Sequence, residues 1–294
     1  MKTNLLRNIY IKKNETKLKI INSNNDKFLN IVLINNLKYL KKIYIKNYSK
    51  KCGLNEIKAY NINIKKKYYL IPEIYFSKLI KNKLVVYQEY IDAKPSNMNY
   101  FFLKNFLNFK KFKLNIKQIN LENYLKKINP YKKQGYNFFK KKFYFYNNKF
   151  FVNFSHGDFI HYNTIIDGKK FYTLDFEYFN SQRSYMHDII NWIIFPIISN
   201  IRKFRLYYLS KLSSKLIIVL FNILLKKKFK EFYIKDIDFY FKIYLFEKLY
   251  FLKNDLKLNK NIKKGEKEKK LIYIKLINNL IHFQNENFDN NALI

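Results

Sequence analysis

The sequence predicts an α+β fold, rich in strands up to about residue 92 and mainly helical beyond it. Three features carry that prediction. Short β-prone runs alternate with polar turns over roughly the first 50 residues. Long apolar and basic segments of helical character fill much of the chain after residue 97. At 150–174 an aromatic run precedes two β-prone stretches flanking Asp167-Gly168, a strong local signal for a hairpin.

Taken in order, residues 17–21 form a first β-prone run, 22–26 a polar turn, 28–34 a second run and 38–48 a third. In the third, Ile43 and Ile45 alternate with Tyr44 and Lys46. Residues 54–64 have helical spacing, with Leu54, Ile57 and Ile64 broadly on one side and Glu56 near the start. Ile71-Pro72-Glu73-Ile74-Tyr75 and then 84–91 read as two more strands. Residues 97–146 are helical in flavour, interrupted at Asn129-Pro130 and Gln134-Gly135. Helices are also expected over 188–199, 204–226, 235–256 and 270–283, with a charged surface loop at 260–269 and a loose tail at 285–294.

The stretch 155–188, SHGDFIHYNTIIDGKKFYTLDFEYFNSQRSYMHD, holds polar residues where plain hydrophobic alternation would not put them. The aromatic run 150–154 predicts a buried strand that delivers His156, Gly157 and Asp158 into a turn. Residues 164–166 and 170–174 then form the hairpin, which returns the chain so that Asp175 lies beside Asn163. Asp158, Asn163 and Asp175 therefore converge. Two carboxylates and an amide oxygen suit a hard divalent cation such as Mg²⁺, which keeps part of its shell for water and phosphate. Phosphoryl transfer needs that combination, one Asp near an acceptor oxygen and an Asn and a later Asp holding metal against phosphates.

His156-Gly157-Asp158, Asn163 and Leu174-Asp175-Phe176-Glu177, at these spacings, resemble the catalytic and metal-binding loops of the aminoglycoside phosphotransferase and choline/ethanolamine kinase superfamily. That superfamily is a branch of the protein-kinase-like fold. Asp175-Phe176-Glu177-Tyr178 is similar to the choline kinase side, and His-Gly-Asp to the bacterial small-molecule phosphotransferases. The resemblance implies a bilobal α+β fold, with a small, mainly antiparallel β lobe at 1–91 that binds nucleotide. A larger, mainly helical lobe at 92–294 would carry catalysis and the acceptor.

It further implies ATP and Mg²⁺ as cofactors, Asp158 as the catalytic base, and Asn163 and Asp175 as metal ligands. By the same resemblance Asp188 would be a buried carboxylate bracing the catalytic loop; His156 reads as a structural residue under that loop, and Glu177, two residues after Asp175 in a chain poor in acids, as a metal-side or loop-bracing acid. Glu56 would be the helix carboxylate that pairs a phosphate-binding strand lysine. Lys46 is the first choice for that lysine, with Lys41 and Lys42 as competitors. Backbone groups of Glu89, Tyr90 and Ile91 would meet the adenine at the hinge. The turn at 23–26 would cover the phosphates, although it contains no glycine.

The activity so implied moves the γ-phosphate of ATP to a hydroxyl of a small molecule, with choline, ethanolamine, a sugar or an amino sugar as acceptor. Trp192, Tyr185, Phe195 and Tyr178 are candidate aromatic faces for a quaternary ammonium. Glu231, Asp236, Asp238 and Glu247 are few for a polycationic antibiotic. A protein substrate is disfavoured, because neither Asp-Phe-Gly nor Ala-Pro-Glu follows the catalytic loop and 175–188 is short for an activation segment. The competing class is a binding protein, either an inactive kinase-like chain or a basic nucleic-acid-associated one. Asp158, Asn163 and Asp175 occurring together argue against a decayed site.

Composition sets the remaining bounds. The 294 residues are 48% hydrophobic, enough for a sizeable core. A lone cysteine, Cys52, excludes disulfides and cysteine-built zinc sites within the chain and leads us to expect a reducing, cytoplasmic setting. No apolar run reaches the ~18 residues of a membrane span; 189–198 and 216–225 contain Asn191 and Asn222 and read as buried helices. The opening MKTNLLRN leads into charge and polarity, so no secretory signal is expected. The net charge of +37 would attract polyanions. Its lysines are spread evenly, however, in a chain crowded with Asn, Ile, Tyr and Phe, a pattern of adenine- and thymine-rich coding rather than of a nucleic-acid patch. No specific nucleic-acid partner is expected.

Overall fold

The computed structural model describes residues 15–23, 26–66, 69–95, 117–128, 149–168, 170–192, 195 and 237–258, with single positions between 264 and 278. The chain divides into two compact units, 1–111 with 156–180 and 112–155 with 181–294.

The first unit is built on a five-stranded antiparallel sheet in the order β1-β2-β3-β5-β4. Its strands are β1 (Thr16–Ser23), β2 (Lys27–Ile34), β3 (Leu37–Tyr44), β4 (Ile74–Ile80) and β5 (Lys83–Glu89). Two of its hairpins close through two residues each, Asn35-Asn36 and Lys81-Asn82. All four have positive φ, between 44° and 62°, the left-handed backbone whose twist matches that of paired strands. Asparagine tolerates this conformation best after glycine, so a chain with five glycines still makes tight hairpins.

Side chains alternate across the sheet, giving each face its own cluster. Val32, Ile34, Tyr39, Val85 and Tyr87 pack together on one face. Tyr44, Leu84 and Val86 pack on the other, with Ile57 of helix α1 (Asn47–Lys66) against them. Gly53 permits that approach: a Cβ there would stand 2.7 Å from the Tyr44 ring and 2.8 Å from Leu84. The third predicted strand ends earlier than expected, at Tyr44, because Lys46 stands immediately before α1 and caps its first turn. Its carbonyl accepts the Lys50 N–H at 2.8 Å and the Ser49 hydroxyl at 2.9 Å.

The same unit holds a second sheet in the order β10-β9-β6, comprising β6 (Lys94–Pro95), β9 (Thr164–Asp167) and β10 (Lys170–Thr173). Asp167 pairs with Lys170, so the turn of the predicted hairpin begins at Gly168, whose φ is +56°.

In the second unit a three-stranded sheet runs β11-β8-β7, from β7 (Lys117–Asn120), β8 (Lys149–Ser155) and β11 (Asn180–Ser184). Helices α2 (Leu121–Ile128) and α3 (Ile237–Leu258) belong to it, and 187–192 is helical. The Asn120 side chain caps α2 by accepting the Asn123 N–H at 3.0 Å. The region 97–146, expected to be helical, thus contributes a strand as well, since Lys117–Asn120 pairs with β8. Phe150 packs on Tyr124 and Tyr240, at centroid distances of 4.6 and 5.6 Å.

Lys264, Lys267 and Glu268, within the expected surface loop 260–269, are helical. The expected helix 204–226, the breaks at 129–130 and 134–135 and the tail 285–294 lie outside the described residues. Among the described residues no helix is long and apolar enough to cross a membrane.

Candidate active site

After β8 the chain turns through Gly157 at φ +88°, a backbone conformation that only glycine adopts without strain. His156, fully buried, lies under the turn. Its Nδ1 accepts the Asp158 N–H at 3.2 Å, which leaves Nε2 to carry the ring proton and donate to the Leu174 carbonyl at 2.6 Å. The ring packs on Phe176 at 4.3 Å and Phe159 at 5.8 Å, and Tyr69 closes the same aromatic group. One imidazole therefore links the Asp158 loop to the Asp175 loop.

Asn163 ends a 3₁₀ turn, His161–Asn163, just before β9. Its Nδ2 donates to the Asp158 carbonyl at 2.8 Å and lies 3.4 Å from Asp158 Oδ2, which leaves its amide oxygen as the atom to offer a cation. Its backbone carbonyl accepts the Leu174 N–H at 2.8 Å, one step beyond the last hairpin pair, Thr164 with Thr173. Asn163 and Asp175 are consequently brought together at the open end of the hairpin, and Asp158 is hydrogen-bonded to Asn163.

Asp175 is held in the left-handed region at φ 62°, ψ 60°, ahead of a second 3₁₀ turn, Phe176–Tyr178. Such outliers concentrate where a side chain must be aimed. Its Oδ1 is sealed from solvent and accepts no hydrogen bond, although the side chain as a whole is 42% exposed. The nearest cation is Lys27 Nζ, 3.7 Å from that oxygen. Lys27 also pairs with Glu177 and lies 5.3 Å from the Tyr44 ring centroid. The Asn55 amide bonds the Glu177 carbonyl at 3.0 Å, fastening this turn to α1.

The lysine partner of Glu56 is Lys42, not Lys46. Both members are buried, at 4% and 2% exposure, and the Tyr44 hydroxyl completes the group by donating to Glu56 at 2.7 Å. Lys46 has left the strand and pairs with Asp26 at 2.7 Å. Lys41, one residue from Lys42, points to the opposite face, where it meets Glu15 at 2.6 Å.

Glu89 is the last residue of β5, and Tyr90 and Ile91 follow as unpaired, half-buried chain. The Glu89 N–H donates to the Glu73 carbonyl at 2.7 Å, and its carboxylate accepts the Glu73 N–H at 3.1 Å. In the second unit, Asp188 is buried and accepts the Ser155 hydroxyl at 2.9 Å, so it braces the residue immediately before His156.

Electrostatics follow from this packing. Burial pushes Asp175 upward, yet the charges of Lys27 and then Lys42 outweigh it and hold the carboxyl below its usual range. Glu177 is pushed up to about 7, by burial first and then by the charge of Asp175. Burial works against the Lys27 ammonium, but Asp175 and Glu177 raise its pKa well above normal. Three carboxylates, at 56, 175 and 177, thus face two ammonium groups, at 27 and 42. A further cation beside Asp175 is electrostatically favourable there. Asp175 Oδ1 and the Asn163 amide oxygen are hard donors, and so few protein ligands fit Mg²⁺, which fills its shell with water and phosphate oxygens. Among the described residues no group of three or more His, Cys, Asp or Glu side chains could hold a metal ion.

Several acceptor-side expectations are corrected. Tyr185 is a core residue, packed edge-on against Tyr240 at 4.7 Å and Phe151 at 6.4 Å, and Trp192 is also buried. Glu247 is fully buried as well, accepting from Tyr124 and the Ser184 N–H and bonded to His187. Glu231 and Asp236 lie outside the described residues. Lys27 was missed from sequence, since nothing local separates it from the other 57 basic side chains of 58.

No protein-family profile and no curated protein sequence matches the chain. Solved structures do. A Haemophilus somnus 129PT protein described as a fructosamine-3-kinase aligns over 93% of this chain and 92% of its own, with 14% identity and a TM-score of 0.54. A thermostable mutant of aminoglycoside phosphotransferase APH(4)-Ia in its apo form aligns over 91% and 94%, with 8% identity and a TM-score of 0.54. Such a mutant in ternary complex with ADP and hygromycin B aligns over 92% and 94%, with 8% identity and a TM-score of 0.57. Identities this low speak for the fold alone, and with an antiparallel β unit and a second unit bearing the long helix, the chain has the bilobal α+β, protein-kinase-like fold.

Proposed function

We propose that this chain is an ATP-dependent phosphotransferase whose acceptor is a hydroxyl of a small molecule, with lobes at 1–91 and 92–294 and a cytoplasmic setting. The observation that carries the reading is Asp175 Oδ1, sealed from solvent without a hydrogen bond, at the hairpin end beside Asn163, which in turn holds Asp158. Asp175 and Asn163 would hold Mg²⁺, and Lys42, fixed by Glu56, would offset phosphate charge. Magnesium, when bound, supplies charge neutralisation on the phosphoryl oxygens. Asp158 orients the acceptor hydroxyl and takes its proton. Asn163 keeps Asp158 in place, and His156 holds the two loops at a fixed separation. Backbone groups at Glu89, Tyr90 and Ile91 would receive the adenine, and Glu177 steadies the turn after Asp175.

For the acceptor we favour a sugar or amino sugar over choline or ethanolamine. A quaternary ammonium needs an exposed aromatic enclosure, and two of the four candidate faces, Tyr185 and Trp192, are spent in the core, with Tyr178 and Phe195 half-buried. The fructosamine-3-kinase description and the hygromycin B complex of the similar structures agree with that choice.

Transfer of labelled phosphate from ATP to a panel of sugars, amino sugars, choline and ethanolamine tests the proposal. Asp158→Ala is expected to lower turnover by about 10²–10⁴ with nucleotide affinity nearly unchanged, while Asp175→Asn removes magnesium-dependent nucleotide binding. Full turnover in Asp158→Ala would overturn the assignment. ATP binding without transfer would point to an inactive kinase-like protein, and RNA binding with steep salt dependence to a nucleic-acid module.

A further inference from the structure

We infer that Lys27 is a second phosphate-binding cation, supplied by the start of β2 in the role that a glycine-rich loop has elsewhere. The inference rests on the nucleotide reading of this site. Phosphate-covering loops act through backbone N–H groups that glycine lets approach closely, and the turn before β2 has no glycine between Ser23 and Lys27. Lys27 is the first residue after that turn. In register it stands opposite Tyr44, two residues from Lys42 on the same face, so both ammonium groups are directed to one side of the sheet.

The surroundings of Lys27 differ from those of Lys42. Lys42 is enclosed, its side chain 5% exposed, with a dedicated carboxylate in Glu56. Lys27 is 16% exposed and shared among Glu177, the Tyr44 ring and Asp175 Oδ1 at 3.7 Å. A lysine serving structure alone needs only Glu177. One that also stands 3.7 Å from the proposed metal-binding oxygen is within a side chain's reach of any phosphate bound there. Glu177 then has a defined part: it orients the Lys27 stem, while the carboxyl of Asp175 is left for the metal. The ligand class is a nucleoside di- or triphosphate, recognised through its phosphates.

The experiment compares binding of ATP, ADP and adenosine, with magnesium, to the full chain and three variants, by equilibrium titration. Lys27→Met is expected to weaken ATP and ADP binding by about 10–100-fold, the scale of one charged hydrogen bond, and to leave adenosine binding unchanged. Because Lys27→Met strands Glu177, the double variant Lys27→Met with Glu177→Gln removes both partners and keeps the test valid if the single variant unfolds. It should show the same selective loss. Lys27→Arg should recover most of the phosphate-dependent affinity. Equal ATP affinity in the wild type and the double variant, or an equal loss for adenosine, would overturn the role of Lys27. Absence of any nucleotide binding by the wild type would instead overturn the phosphotransferase reading, so the two failures are distinct.

Discussion

His156 Nε2 donates to the carbonyl of Leu174 at 2.6 Å, a contact between the residue two before Asp158 and the residue one before Asp175. Through the same ring, Nδ1 receives the Asp158 N–H at 3.2 Å. One buried side chain therefore touches both acidic loops of the site, alongside the Asn163 bonds to the Asp158 and Leu174 backbone, and three expected outcomes follow from this and other arrangements.

Replacing that ring should damage stability and geometry together. His156→Ala empties a buried site and leaves the Leu174 carbonyl and Asp158 N–H without their partner. A loss of about 2–4 kcal/mol is expected from denaturant unfolding, with turnover lowered even where the variant is folded. Unchanged stability and unchanged turnover would show that the two loops are held by other means.

The two lysine variants Lys42→Met and Lys46→Met should behave very differently. The first leaves Glu56 charged and buried, with a stability cost of about 3–5 kcal/mol and weakened ATP binding. The second breaks a pair whose lysine side chain is 37% exposed, worth at most about 1 kcal/mol, with turnover preserved. Parallel unfolding curves and ATP titrations separate the two lysines. Greater damage from Lys46→Met would return the phosphate role to Lys46.

Stability should fall on acidification through His187. Burial, and then the Arg183 charge, lower its pKa below the ordinary value near 6.5, against the opposing pull of Glu247 and Asp188. Arg183 Nη1 lies 3.3 Å from Nε2 and Glu247 takes Nδ1, which suits a neutral ring with its proton on Nδ1. Tyr244 and Tyr124 are further titratable groups packed on this network. Since the native state binds the proton less readily than the unfolded chain, the stabilisation is complete above the unfolded pKa. It declines as pH drops from there toward the folded pKa, by up to about 1.4 kcal/mol per pH unit. Melting temperatures measured between roughly pH 8 and 5 should show the fall, and His187→Gln should flatten this part of the profile. An unaltered slope in the variant would assign the dependence to other groups.

Local chemistry was enough for the loops of the site. Asp167-Gly168 sets a hairpin, an aromatic run sets β8, and the short intervals from Asp158 to Asn163 and across the hairpin to Asp175 leave few ways to arrange those side chains. Strand existence was legible for the same reason, since period-two alternation is a property of adjacent residues. Strand ends were less so. Lys46 continues the alternation of β3 in the sequence, yet α1 claims its carbonyl, and that competition is decided by where the helix packs.

Order along the chain could bring Asp158, Asn163 and Asp175 close together but could not choose among the lysines. In a chain with 58 Lys and Arg, each lysine looks like its neighbours, and a one-residue change in strand parity moves an ammonium group to the other face of the sheet. Folding chose Lys42 over Lys41 by that parity. It also brought Lys27 to Glu177, 150 residues away, because the register of β2 on β3 and the packing of α1 on the turn after Asp175 are long-range contacts that no local pattern encodes.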